Sequence, residues 1–465
     1  MSTLVLRDGE VGGVRVDIRI EDERVTTVGP PRSAPGADVE IACAGGAVLP
    51  GLHDHHLHLL SMAAAAGSID VSHGLDREIR SAHARAIPGA ALRAVNYDEV
   101  AEGPLDRWRL DALAPGRAVR VQHRSGAAWV LSTVALEEVG ALQTDDAGIE
   151  RDGWGRPTGR MFRLDDWLRA RLHHDRRFNP GDLAAVGSRL ASFGVTGVTD
   201  CTPTPTVEYF ASIAAAVHTR RLPLTVSTTG GPELAEVDPP PPLRRGPVKV
   251  VITDHAFPGL DDLAAWIARA HRVGRPVAVH CVTRAALTLA LAAWSEVGSV
   301  PGDRIEHASV TPPELMDAMA KLSLTVITQP GFIAARGDMY LREVDAVDRP
   351  DLYRCGSLLD AGIAVGGSTD APFGPDDPWL AMRAAIERQS ESGARVGSDR
   401  GLNPRSALDL FLAPLEQPGG SIRHITPGAP ADLCLLHVPL HTALADLSSR
   451  HVATTIAQGT CTFVA

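Results

Sequence analysis

The chain has 465 residues, of which 44% are hydrophobic and 22% charged, a globular balance that excludes a disordered or fibrous protein and suits one large enzyme domain with a smaller unit. Its 45 Lys and Arg against 56 Asp and Glu give a formal net charge of −11, which argues against a nucleic-acid partner. Six scattered cysteines (Cys43, Cys201, Cys281, Cys355, Cys434, Cys461) form no CxxC and read as buried thiols of a reducing compartment. No apolar run reaches the roughly 18 residues of a membrane span. The opening MSTLVLRDGEV has no basic stretch followed by an apolar one, so the expected location is cytoplasmic, with no membrane partner.

Residues 1–50 alternate apolar and polar side chains between Gly and Asp turns, as in LVLRDGEV, GGVRVDIRIEDERVTTVG and ADVEIACAGGAVLP. This pattern predicts the first part of a small β-domain. The stretch from about 62 to 180 reads as an inserted cap whose own fold the pattern leaves open. From about 180, short apolar runs alternate with Ala- and Leu-rich helical segments such as DDLAAWIARAHRVG. The runs are GVTGVTDCT, PLTVSTT, VKVVITD, PVAVHCV, RIEHAS, LTVITQP and IAVGGSTD; with VLPGLHDHHLH near residue 50 they make eight. Eight strand–helix units predict an α/β fold, a (β/α)8 TIM barrel over residues 51–414. Proline-rich DPPPPLRRGP, 238–247, reads as a surface loop. From about 415 the β-texture returns in GSIRHITPGAPADLCLLHV and HVATTIAQGTCTFV. The second part of the small β-domain is therefore expected over 415–465, so that both chain ends build one β-sandwich.

Four histidines crowd into Pro50-Gly51-Leu52-His53-Asp54-His55-His56-Leu57-His58. Residues two apart on a strand share a face, so His56 and His58 can meet one cation, and His53 with His55, the opposite-phase pair, can do the same. Neutral imidazole is the commonest transition-metal ligand among side chains. Further ligand types end later strands: His280 after Val277-Ala278-Val279, His307 after Arg304-Ile305-Glu306, and Asp370 after Gly367-Ser368-Thr369. Strand ends of a barrel converge on the mouth where its active sites lie. Lys249, inside Val248-Lys249-Val250-Val251, is costly there as a cation. It either pairs with a carboxylate such as Asp254 or, as a neutral amine, takes up carbon dioxide to give a carbamate able to bridge two metal ions.

Taken in order, PGLHDHHLH, GPVKVVITD, PVAVHC, RIEHAS, GSTDAP and PGAPADLCLLH resemble the amidohydrolase superfamily, on the branch that includes N-substituted formamide deformylase. The resemblance implies that His56, His58 and Asp370 bind one divalent metal and that His280 and His307 bind a second, with carboxylated Lys249 between them. Zinc is the expected ion, at one or two per chain, although the N/O donor set also suits iron or manganese. The implied reaction is hydrolysis of an amide-type C–N bond in a small molecule, N-acyl, N-formyl or cyclic. A metal-bound hydroxide would attack, and Asp370 would carry the proton.

The chain departs from its relatives in the cap. Where they carry a His and an Asn facing substrate, Gly126-Ala127-Ala128-Trp129-Val130-Leu131 has Ala127 and Leu131. Alternatives are a mononuclear deaminase, whose usual HxxE glutamate is here Thr283; a lactonase or phosphotriesterase on the same centre; and a ligand-binding protein without activity. His173-His174, among Arg169, Arg171, Arg176 and Arg177, reads as a solvated cap face. Phe332, Arg336 and Tyr340 fall at the mouth if the barrel forms. Large acidic barrel enzymes often associate, so a homo-oligomer is compatible with the composition.

Overall fold

The fold, obtained as a computed structural model, describes residues 3–172, 180–202, 205–253 and 256–465. Asp254 and His173-His174 lie outside the described residues. The chain divides into two compact units, Leu60–Asp182 and the combination of Met1–Leu59 with Leu183–Ala465.

The larger unit holds an eight-stranded parallel sheet of strands β1 (Leu52–Leu57), β2 (Val195–Asp200), β3 (Thr225–Gly230), β4 (Arg244–Val251), β5 (Val277–Cys281), β6 (Arg304–His307), β7 (Thr325–Thr328) and β8 (Val365–Gly367). Each strand pairs with the next in chain order, the expected TIM-barrel succession. The seam between β8 and β1 is closed by other means. Leu410 and Phe411 accept from Gly367 and His53 backbone N–H groups at one end, and Asp370 N–H donates to His56 O (2.8 Å) at the other. The strands are buried on both faces and therefore read as near-continuous apolar runs. Outer helices show the complementary stripe. In Leu260–Arg272, Leu263, Ala264, Ile267 and Ala270 are buried, with Asp261 and Asp262 in the first turn and Arg269, His271 and Arg272 in the last.

The chain ends supply two four-stranded sheets, one from residues 3–42 and one joining Val48–Pro50 to Leu433–Leu436, Val452–Ala457 and Thr460–Val464. Their inner faces share one core that includes Leu6, Ile18, Ile20, Val48, Leu433, Leu435 and Ile456, the expected sandwich. Two local readings need correction. Of DPPPPLRRGP, Arg244 to Pro247 belong to β4 rather than to a loop, because Gly246 packs directly on the Thr228 backbone and lets the ladder start early. In GSIRHITPGAPADLCLLHV only Leu433–Leu436 is strand, since the Gly and Pro residues before it interrupt pairing.

The unit Leu60–Asp182 contains a six-stranded mixed sheet. It runs Ile149–Arg151, Pro157–Phe162, Ala128–Leu131, Val119–His123, Leu92–Tyr97 and Ile69–Asp70, with helices Leu75–Arg85, Arg107–Leu113 and Thr133–Glu138. Among the described residues no helix is long and apolar enough to cross a membrane.

Candidate metal centre

On β1 the period of two places Asp54, His56 and His58 on one side and His53 and His55 on the other. His53 turns away from the barrel axis, where its Nδ1 lies 3.0 Å from Ala413 O and its ring fills the space over Gly197. His55 is fully buried near Gly366, and neither of its ring nitrogens has a hydrogen-bond partner among the described residues. The other face gathers the remaining ligand types. His58 Nε2 is 3.0 Å and His56 Nε2 3.6 Å from Asp370 Oδ1, and Lys249 Nζ is 3.5 Å from His56 Nε2. Ring centroids of His56 and His307 are 4.9 Å apart, and those of His280 and His307 4.3 Å. All six residues named from the sequence thus meet in one cluster at the ends of β1, β4, β5, β6 and β8. His53 and His55 do not join it.

The orientation of these side chains is set by residues that spacing alone did not single out. His56 Nδ1 lies 2.5 Å from Glu306 Oε2, and Arg304 Nε donates to Glu306 Oε1 at 2.6 Å. His307 Nδ1 faces Gln329 Oε1 at 2.8 Å, and Gln329 Nε2 donates to Ser368 Oγ at 2.9 Å. Both acceptors select the tautomer with hydrogen on Nδ1 and leave an Nε2 lone pair for a cation, the arrangement of a metal-ligating histidine. Asp54 accepts from Thr369 Oγ1 (2.5 Å) and Thr369 N–H (3.2 Å), which fixes the turn carrying Asp370. Asp370 and His307 both sit at positive φ, 55° and 72°, a local cost that the surrounding bonds must sustain.

Electrostatics suit a cation. Burial above all pushes His56 and His280 well below the ordinary imidazole range and His307 to about 3, so these rings are neutral donors. Burial alone would raise Asp370, but the His58 hydrogen bond and the neighbouring imidazoles hold its carboxyl below the usual range. Glu306 is likewise raised by burial yet held down by Arg304 and Lys249.

His56, His58 and Asp370 offer ligand atoms all within 4.8 Å of one another, as do His56, Cys201 and Glu306. In the second triple Arg304 already donates to both Glu306 and Cys201, so a cation is in place there. The first triple, with Lys249, His280 and His307 beside it, fits one or two divalent ions. Of the missed residues, Glu306 had a signal, because Arg304 and Glu306 share one face of a short buried strand. Gln329 had none.

The unit Leu60–Asp182 has its own cavity of about 280 Å³, lined by residues that include Tyr97, His123, Ala127, Trp129, Arg160 and Phe162. Ala127 therefore borders open space. Leu131 is fully buried with Trp129, Leu136 and Met161 in the core of that unit.

Comparison with known proteins agrees with the ligand pattern. The amidohydrolase family model matches residues 39–463. N-substituted formamide deformylase of Arthrobacter pascens is 26% identical, over 92% of this chain and 90% of that protein. An uncharacterized metal-dependent hydrolase from Pyrococcus horikoshii OT3 superposes with a TM-score of 0.76 at 20% identity, covering 97% of this chain and 99% of that one. N-isopropylammelide isopropylaminohydrolase from Burkholderia multivorans ATCC 17616 superposes with a TM-score of 0.58 at 16% identity, covering 99% of this chain. At these identities the two superpositions speak to the fold.

Proposed function

The chain belongs to the amidohydrolase family, and on that premise we propose that it hydrolyses an amide-type C–N bond, N-acyl, N-formyl or cyclic, in a small molecule. His56, His58 and Asp370 would hold one divalent cation, zinc in this reading. His280 and His307 would hold a second, with Lys249 as its carbamate between the two. A cation bound there supplies Lewis acidity toward water and toward a carbonyl oxygen.

The protein's own part is orientation and proton movement. Glu306 and Gln329 hold the His56 and His307 rings in register. Asp370, ionised and 3.0 Å from His58 Nε2, takes a proton at a carboxylate oxygen from the attacking water. It returns that proton to the departing nitrogen as the new C–O bond replaces the C–N bond. One observation carries the reading: six ligand-type side chains, drawn from five strand ends across the barrel, converge within hydrogen-bonding distance or ring contact.

A deaminase reading is disfavoured at Thr283. There the side chain caps helix Arg284–Val297 by accepting from Ala286 N–H at 3.3 Å, where an HxxE enzyme would need a carboxyl.

The test is a metal count on protein purified without chelator, a crystal structure of that protein, and a panel of N-acyl, N-formyl and cyclic amides. Bound metal, a carboxyl group on Lys249 and turnover of an amide are expected. Metal-free protein, or metal-loaded protein inert on every amide, overturns the proposal.

A further inference from the structure

We propose that the cavity in the unit Leu60–Asp182 is a binding site for a small aromatic carboxylate, whose ring sits on Ala128 between His123 and Phe162 and whose acid group meets Arg163. The inference concerns that unit alone and does not depend on the hydrolysis proposed above.

The register of the six-stranded sheet builds the slot. Tyr97 pairs with His123, and Ala128 with Phe162. Trp129 pairs with Gln122, so one step further along that antiparallel ladder His123 comes opposite Ala128. Four adjacent strands thus carry Tyr97, His123, Ala128 and Phe162 in one row on one face, and all four line the cavity. Three of them are rings, and Ala128 is the small member. Tyr97 and His123 already meet edge to face, with centroids 5.8 Å apart. His123 and Phe162 stand on either side of the Ala128 strand, two strand spacings or about 10 Å apart. A flat ring laid on the Ala128 methyl meets an aromatic side chain at each side.

The neighbouring row on this face shows the contrast. It is formed by Ala94, Val121, Val130 and Arg160, and its three apolar members share a core with Leu75, Ile79 and Leu110 of the covering helices. Over the row of rings there is instead a cavity of about 280 Å³. That lies at the small end of ligand pockets, roughly 300–1,000 Å³, and suits one ring with a short side chain. Phe162 is 41% exposed, apolar surface that such a ring covers. The slot is also held open. Ser125 N–H donates to His123 Nδ1 at 3.1 Å, with Ser125 Oγ 2.8 Å from the same atom, and Phe162 N–H donates to Gly148 O at 2.8 Å.

The charges favour an acid. Glu99, Arg160 and Arg163 line the cavity. Arg160 donates to both carboxylate oxygens of Glu99 at 3.0 Å and has Glu150 3.9 Å away, so these charges are spent on one another. Among the described residues the Arg163 guanidinium has neither a hydrogen bond nor an ion pair. Its backbone N–H donates to Ala127 O at 2.8 Å, which fixes Arg163 at the cavity wall. A cation entering here meets no free carboxylate, whereas a carboxylate meets a guanidinium matched to its two oxygens.

The experiment titrates the full-length protein with phenylacetate by calorimetry, as purified and again after chelation. Two comparison ligands separate the contributions: 2-phenylethanol keeps the ring without the charge, and acetate keeps the charge without the ring. Phenylacetate should bind at one site per chain, more tightly than either, with or without chelator. R163Q should weaken phenylacetate about 5–10-fold, as for a charge-assisted pair at an open rim, and leave 2-phenylethanol unchanged. A128F, which fills the slot, should abolish binding of both phenyl compounds at an unaltered Tm. If A128F does not fold, the R163Q comparison decides by itself. No binding of phenylacetate, binding that chelation removes, acetate bound as tightly, or an R163Q variant that binds phenylacetate like wild type overturns the inference. So does an equal loss on 2-phenylethanol, or a folded A128F that still binds phenylacetate.

Discussion

A metal-ligating imidazole almost always donates from its other nitrogen, and in the proposed centre Glu306 and Gln329 would accept from His56 and His307. Glu306→Gln keeps a side chain of the same shape but gives up the charge that orients His56. Cation affinity should drop about 10–100-fold, read by competition with a metallochromic chelator; unchanged affinity would remove Glu306 from this role. In the proposed mechanism Asp370 differs in kind, because there it moves a proton. Asp370→Asn should leave the circular dichroism spectrum and metal content in place and lower kcat by about 10²–10⁴-fold. Near-normal turnover would show that another group carries the proton.

At the scale of elements, β1 works through both faces. One face presents His56 and His58 to the centre; the other buries His53 against β2, where a Cβ on Gly197 would lie 2.5 Å from His53 Cδ2. His53 is held by Ala413 O and cannot swing aside freely. Gly197→Ala should therefore destabilise the protein by about 1–3 kcal/mol, seen in urea melts, and should weaken metal binding because β1 must shift. A variant as stable as wild type would show that the two strands adjust without cost. The seam between β8 and β1 shows the same economy: Asp54 spans it to Thr369 and so couples the His56 strand to the Asp370 turn.

At the scale of the whole molecule, the proposed ligand cluster, drawn from five strands, would make metal and fold interdependent. Chelation should lower Tm, and metal in excess of its Kd should restore it, since a ligand that binds only the folded state stabilises that state. A Tm indifferent to chelator would contradict the centre. The metal-free protein should also be acid-sensitive above the carboxylate range. Burial pushes His55 and His307 down to about 3, while in the unfolded chain each titrates near 6.5. Between those values the unfolded state binds more protons than the folded one, so stability should decline steadily as pH falls from about 6.5 toward 3. Thermal melts across that range test it, and a flat profile would contradict the neutral, buried imidazoles.

Much of this architecture is legible along the chain because it is written in local periods. Alternation two residues apart separates His56 and His58 from His53 and His55, and apolar runs between helical stretches announce eight strands. His280, His307, Lys249 and Asp370 are recognisable because each stands in or at the end of such a run. What closes the seam, orients the rings and lines the mouth is not local. His56 and Glu306 are 250 residues apart, and Asp54 and Thr369 are 315 apart. Gln329 has no pattern of its own. Arg244 to Pro247 became strand only because β3 lies alongside. Strand periodicity follows from backbone geometry and can be read in a single segment. A hydrogen bond between distant segments exists only once the barrel has brought them together, and so it was decided by the tertiary structure alone.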